Sequence, residues 1–212
     1  YTLNHSIRSD VYNYLGLVDE QIVRGGEDAD TIDMEQSTVA QADGSIPLSL
    51  LDDLRAGTAD VDAIDGYMAI VAEQVPAIVG QGEFAEPVTL LQGLEPDQLE
   101  IFGGLRDLDG NTIDLASLGE GEVVVSATLA EALNIEAGDQ FFTFIENQQH
   151  ELTVAAVCED SFLTGVQAPG MPGGFVMPFS YAQKLAGYEA GEATGIVVTN
   201  QGDAVSGVEQ TD

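Results

Sequence analysis

Residues 121–144, GEVVVSATLAEALNIEAGDQFFTF, constrain the fold of this chain more than any other stretch. Val123, Val124 and Val125 make a short β-branched run of the kind that forms a buried strand. Leu129, Ala130, Leu133 and Ile135 then recur on one side of a short helix over residues 127–134. Ser126 or Thr128 can cap that helix, and Thr128 with Glu131 has the spacing of a capping box. Gly138 suits a turn that other residues resist, and Asp139 can bond nearby backbone amides. Phe141 and Phe142 alternate across the following strand, so at least one packs on the helix. Strand, helix, turn and strand leave no residue here suited to chemistry. Replacing Gly138 with valine is therefore predicted to lower stability, not activity.

The same short-strand texture extends from about residue 86. PVTLLQGL reads as a strand, DLDGNTIDL as a hairpin-like turn with an Asp-Gly signal, and DQFFTFIEN and HELTVAAVCED as strands joined by NQQ. TGVQAPGMPGG (164–174) is a Gly/Pro-rich loop, followed by strand GFVMP, helix SYAQKLAG and strand TGIVVTN. The first part differs. Residues 2–16 carry Leu3, Ile7, Val11, Tyr14 and Leu15 at helical spacing, and DEQIVRG follows as a strand. Residues 26–45 are polar and turn-rich. SIPLSLLDDLRAG reads as a helix starting near Ser45 or Pro47 and ending at Gly57. VDAIDGYMAIVAEQVPAIVG holds one or two strands, with Pro76 confining the second to an edge or a break.

Charge limits the partners. The chain of 212 residues carries 37 Asp plus Glu against 5 Lys plus Arg, a net charge of −32, yet 44% of it is hydrophobic. It can bury a core, and its acids form a solvated surface instead of a disordered tail. Nucleic acid and anionic lipid headgroups are excluded as partners, because both are held by clustered Lys and Arg. Self-repulsion of such a surface is relieved by salt, which predicts adaptation to a saline environment and a haloarchaeal source. No run of about 20 apolar residues and no signal peptide is present. The helical pattern begins at once, without a starting methionine, as expected for a piece of a longer protein.

Searched for chemistry, the sequence returns no catalytic, cofactor-binding or metal-binding residues. His5 and His150 stand far apart, and Cys158 lies in an alternating apolar run, where a buried thiol is expected and a disulfide has no partner. Asp107, Asp109, Gly110, Asn111 and Asp114 suggest a calcium loop, but counted from Asp107 glycine falls at position four and Leu118 at position twelve. An EF-hand needs Gly at six and Glu at twelve, so a solvated turn is expected, with at most a weak cation site over Asp107–Asp114. GEGE (119–122) and GMPGG do not suit phosphate, and no GxSxG elbow occurs. The expected activity is non-enzymatic. A hydrolase built on an unrecognised carboxylate pair would need an acid of strongly raised pKa in a pocket.

In order along the chain, the opening helix, VDEQIVRG, SIPLSLLDDLRAGTADVDAI, PVTLLQGL, GEVVVSATLAEALNIEAGDQFF, ELTVAAVCEDSFLTG, FVMPFSYAQKLAG and GIVVTNQGD resemble the MacB-like core domain of MacB/FtsX-type ABC transporter permeases. Asn134 stands where that pattern commonly has glycine, a substitution that left-handed geometry tolerates. The resemblance implies an α+β fold in two parts. Residues 1–82 and 175–212 would form an α/β, porter-like subdomain, and 83–174 an inserted β-rich subdomain with the one helix over 127–134. It also implies a place on the extracytoplasmic side of the cell membrane, between the first two transmembrane helices of a four-helix permease. Implied partners are a cytoplasmic ABC ATPase, a second permease subunit in a homodimer or heterodimer, and an extracellular partner or substrate. No cofactor is implied. The alternative is a free-standing secreted or surface-attached binding module of the same fold.

Overall fold

The computed structural model describes residues 16–24, 44–80, 82–166 and 171–202. The helix expected over 2–16 and nearly all of the polar stretch 26–45 lie outside these residues. Strand β1 (Glu20–Val23) comes first, as DEQIVRG predicts. Strand β2 (Ile46–Pro47) precedes helix α1 (Ser49–Gly57), which ends at the predicted glycine but begins later than Ser45 or Pro47. Tertiary pairing is the reason: Ile46 faces Ala193 in a two-stranded ladder, and Leu48 N–H donates to Gly191 O at 2.7 Å. Backbone groups committed across the chain cannot also serve a helix.

Strand β3 (Ile64–Val79) is one continuous strand of 16 residues. Pro76 interrupts its register with β4 (Phe84–Leu94), where the pairing shifts between Val75 and Ala77. Proline has no N–H to give a ladder, so a bulge absorbs it without ending the strand. Strands β5 (Leu105–Arg106) and β6 (Thr112–Ile113) form the small hairpin expected from the Asp-Gly signal.

Next come β7 (Glu122–Ser126), helix α2 (Ala127–Leu133), β8 (Gln140–Ile145) and β9 (Gln148–Cys158). Of the two possible caps, Ser126 is the one used: its Oγ accepts from Leu129 N–H at 3.3 Å. The Thr128–Glu131 capping box does not form, because Thr128 lies inside the helix and gives both its N–H and its hydroxyl to Asp160. Asn134 closes the helix at φ 52°, the left-handed geometry in which a glycine would be at home. Gly138 turns at φ 97°, and Asp139 accepts from Glu136 N–H at 2.8 Å. The β8–β9 turn is shorter than NQQ. Glu146 and Asn147 make it, both at positive φ, while Gln148 and Gln149 pair with Ile145 and Phe144.

Strand β10 (Gly174–Pro178), helix α3 (Phe179–Leu185), and strands β11 (Glu192–Ala193) and β12 (Gly195–Asn200) complete the α+β fold. Eight strands join in the order β1-β12-β3-β4-β10-β7-β9-β8, and β8 pairs again with β3. The last contact closes six strands, β3 to β8, into a circuit. Strands from both of the expected parts are hydrogen-bonded within this one sheet.

Inside the circuit lie Val71, Leu91, Val123, Val125 and Phe175, with Leu129 and Leu133 of α2 and Phe141 of β8. Phe141 meets Phe175 edge to face at 5.3 Å. Each such buried side chain contributes about 2 kcal/mol. The opposite face packs Met68, Ile70, Val124 and Val176 against Leu105, Leu115 and Phe162. Helix α3 approaches β4 at Gly93, where an added Cβ would stand 2.3 Å from that of Ala182.

Candidate functional site

The residues that could carry chemistry are dispersed by the fold. His150 opens β9 opposite Thr143, at the far end of that strand from Cys158. Cys158 is fully buried and its Sγ–H donates to Val125 O at 3.4 Å. Burial pushes the thiol up to about 12, with the charge of Asp160 acting in the same direction. Such a thiol stays protonated and unreactive at neutral pH. His5 lies outside the described residues.

The Asp107–Asp114 stretch is a turn whose acids are occupied by its own backbone. Asp107 Oδ1 accepts from Asp109 N–H at 3.0 Å and Asn111 N–H at 2.8 Å, and Oδ2 accepts from Asn111 Nδ2 at 2.9 Å. The Asn111 bonds, first side chain and then backbone, hold this carboxyl below its ordinary range. Asp114 Oδ1 accepts from Ala116 N–H and caps a short 3-10 turn. Among the described residues no three acids, histidines or cysteines come together as metal ligands. Glu122 similarly accepts from Gly119 N–H at 2.7 Å, and Glu120 pairs with Lys184 at 2.9 Å on the surface.

Apolar surface is what the fold assembles in the open. Ile78 faces both Ala85 and Phe142 across the β3–β4 and β3–β8 ladders, and residues opposite each other share a face. Phe144, two residues beyond Phe142, is 42% exposed on that outer side. Elsewhere, Pro87, Val88, Ala132, Val166 and Met171, with the acid Glu86 at the same rim, line an open groove of about 570 Å³. Val88 is 50% exposed. The groove wall is firmly held: Gly174 N–H donates to Ser126 Oγ at 3.0 Å, Thr89 Oγ1 donates to Gly173 O, and Gly165 stands at φ 84° with no room for a Cβ beside Gly174. No signal in the sequence singled this surface out, because it depends on strands distant in the chain.

Two carboxylates among the described residues depart from the general pattern of solvated acids: burial raises Asp19, which accepts from Asn200 N–H at 2.7 Å, and it raises Glu73. Glu73 is half-buried on β3 and accepts a hydrogen bond from the Tyr188 hydroxyl. Burial raises its carboxyl, Tyr188 opposes the shift, and the charge of Glu146 adds to it. The same burial and the carboxylate beside it push the Tyr188 phenol up. Sequence reading missed the pair, which are far apart in the chain.

These features define an α+β domain that presents surfaces for contact. A sequence profile of the MacB-like periplasmic core domain matches residues 11–211, and the chain belongs to that family. Among solved structures it is similar to the extracellular domain of the noncanonic ABC-type transporter YknZ from Gram-positive bacteria. The identity is 15%, the TM-score 0.54, and the match covers 92% of this chain and 88% of the other. It is also similar to the periplasmic region of MacB from Actinobacillus actinomycetemcomitans, at 14% identity and a TM-score of 0.53, covering 92% of this chain and 77% of that one. At those identities the structures share the fold. No curated protein matches the chain. Among the described residues no helix is long and apolar enough to cross a membrane.

Proposed function

We propose that this chain is the extracytoplasmic domain of an ABC transporter permease, and that it couples motion driven by a cytoplasmic ATPase to a substrate or partner protein outside the membrane. The observation that carries the reading is the family match, which runs over residues 11–211. The two structural relatives, an extracellular transporter domain and a periplasmic MacB region, support it. In this reading the domain acts without chemistry of its own. Its own partner surface is the outer apolar face of β3, β4 and β8 together with the groove at Val88 and Met171, and its subunit partners are the ATPase and a second permease subunit. The long strand β3 suits such a role, since it belongs both to the β1–β12 side of the sheet and to the six-strand circuit.

The test uses the full-length permease assembled with its ATPase. A spin label on exposed Val61 and a second on the other permease subunit are expected to change separation between nucleotide-free and ATP-trapped states. An unchanged separation, with ATP hydrolysis intact, would overturn coupled motion. A gene without membrane helices flanking this domain would overturn the transporter reading itself.

A further inference from the structure

One edge of β3 changes neighbour along its length. Up to Ile70 it pairs with β12, and at Ala77 and Ile78 it pairs with β8. Between those two runs no described strand lies along that edge. A threonine hydroxyl finishes each end of the gap. Thr194 Oγ1 accepts from Ala72 N–H at 2.8 Å, and Thr143 Oγ1 donates to Pro76 O at 2.7 Å. The seam that closes the six-strand circuit therefore consists of two residue pairs, Ala77–Thr143 and Ile78–Phe142.

Glu73 occupies the gap. It alternates with Val71 and Val75, both in the interior cluster, so its side chain belongs to the core-facing row. Its register partner on β4 is the uncharged Leu91. From the turn after α3, the Tyr188 hydroxyl donates to it. From the tip of the β8–β9 hairpin, Glu146 bears on both Glu73 and Tyr188, and Glu192 bears on Tyr188. The Glu146 Cγ packs 3.6 Å from the place a Cβ on Gly187 would take, so the hairpin tip lies against the same turn. The cation of α3, Lys184, is turned to Glu120. Continuing the β3–β8 register from Ala77–Thr143 would bring Val75 beside Ile145 and Glu73 beside Asn147, next to Glu146.

We propose that this junction is a proton-operated latch: ionised Glu73 and Glu146 hold the β8–β9 hairpin tip off β3, and protonation of Glu73 lets the hairpin close along β3 and lengthen the seam. Two like charges at the margin of an apolar interior oppose close approach, and neutralising one removes both the repulsion and the desolvation of a buried charge. The shift of Glu73 agrees in direction, since burial and Glu146 favour its neutral form. The latch is a property of the domain and stands apart from the transporter reading.

Hydrogen exchange on the 212-residue chain at pH 7.5 and pH 5, expressed as protection factors to remove the intrinsic pH effect, tests it. Segment 142–147 is expected to gain several-fold protection at the lower pH. In Glu73→Gln the protection should be high at both values. A wild-type segment with unchanged protection, or a variant that keeps the wild-type step, would overturn the latch. Glu146→Gln, a change at an exposed turn, provides the second reading. Removing that charge takes away the repulsion, so protection of the segment at pH 7.5 should rise toward its pH 5 value, and a variant as weakly protected at pH 7.5 as the wild type would count equally against it.

Discussion

The β5–β6 loop and the β3 junction each hold an acid that its flanking residues do nothing to distinguish, and the fold drives the two in opposite directions. Asp107 is exposed and ringed by the donors of its own loop, so its carboxylate is held in the charged form. Glu73 is half-buried with one tyrosine hydroxyl against it and a like charge nearby, so its neutral form is favoured. The difference teaches that the balance between burial and the donors within reach sets the direction in which an acid of this protein is shifted. A loop can supply its own donors within a few residues. A strand has already committed its amides to the ladder.

Moving a carboxylate further along the core-facing row should give the largest effect. Val71→Glu places one where the strand is fully buried, and it is expected to unfold the domain or cost more than about 4 kcal/mol, as read by urea denaturation. A stable Val71→Glu protein would break the comparison. Tyr188→Phe comes next. It strips the donor from Glu73 and should cost about 1 kcal/mol at pH 8. The loss should shrink at pH 5, where Glu73 is nearer its neutral form.

The pH profiles of the two acids should have opposite signs. Glu73 has a raised folded value, so the native state binds the extra proton. Its contribution improves as pH falls from neutral through that raised value toward its ordinary 4.5, and worsens as pH rises. Asp107 has a depressed folded value, so its contribution is present above 3.8 and is lost as pH falls through the folded value. Thermal melts of wild type, Glu73→Gln and Asp107→Asn across pH 3 to 8 check both signs. Glu73→Gln should flatten the profile above 4.5, whereas Asp107→Asn should lower the melting temperature slightly, and only where the Asp107 carboxylate is charged. The smallest effect should come from salt on the difference between the variants. Raising NaCl to 1 M cuts the Debye length to about 3 Å. The net charge of −32 predicts a higher melting temperature for every variant. The Glu73 step should persist because its causes lie inside the protein. A melting temperature that falls with NaCl would sink the saline-adaptation expectation.

Much of the fold was legible because local chemistry agreed with it. The valine run, the capped helix, the Gly138 turn and Phe141 facing the helix all appear as residues 121–144 imply. Where legibility failed, a distant partner had intervened. Asp160 took Thr128 away from its capping box, β11 took Ile46 and Pro47 away from the first helix, and the paired strands turned Pro76 into a bulge within one long strand. The β8–β9 turn was misread by one residue for a local reason: Glu at positive φ is rare, so the asparagine and glutamines drew the loop toward themselves. For the candidate surface and the Glu73 junction there was nothing to read. Both depend on which strands become neighbours, and register is a long-range property.

By itself, then, the sequence determined the net charge of −32, the order of the long elements from β1 to β12, the buried Cys158 and the family to which the chain belongs. The first three rest on composition, periodicity or short-range hydrogen bonding, which act over a few residues, and the family rests on an ordered series of motifs that resembles it. Only the tertiary structure decided that β8 returns to β3, that an apolar face lies open across three strands, and that Glu73 alone among the neighbouring core-row positions carries a charge against Tyr188. Those outcomes are set when strands far apart in the chain share a ladder and remove particular side chains from water.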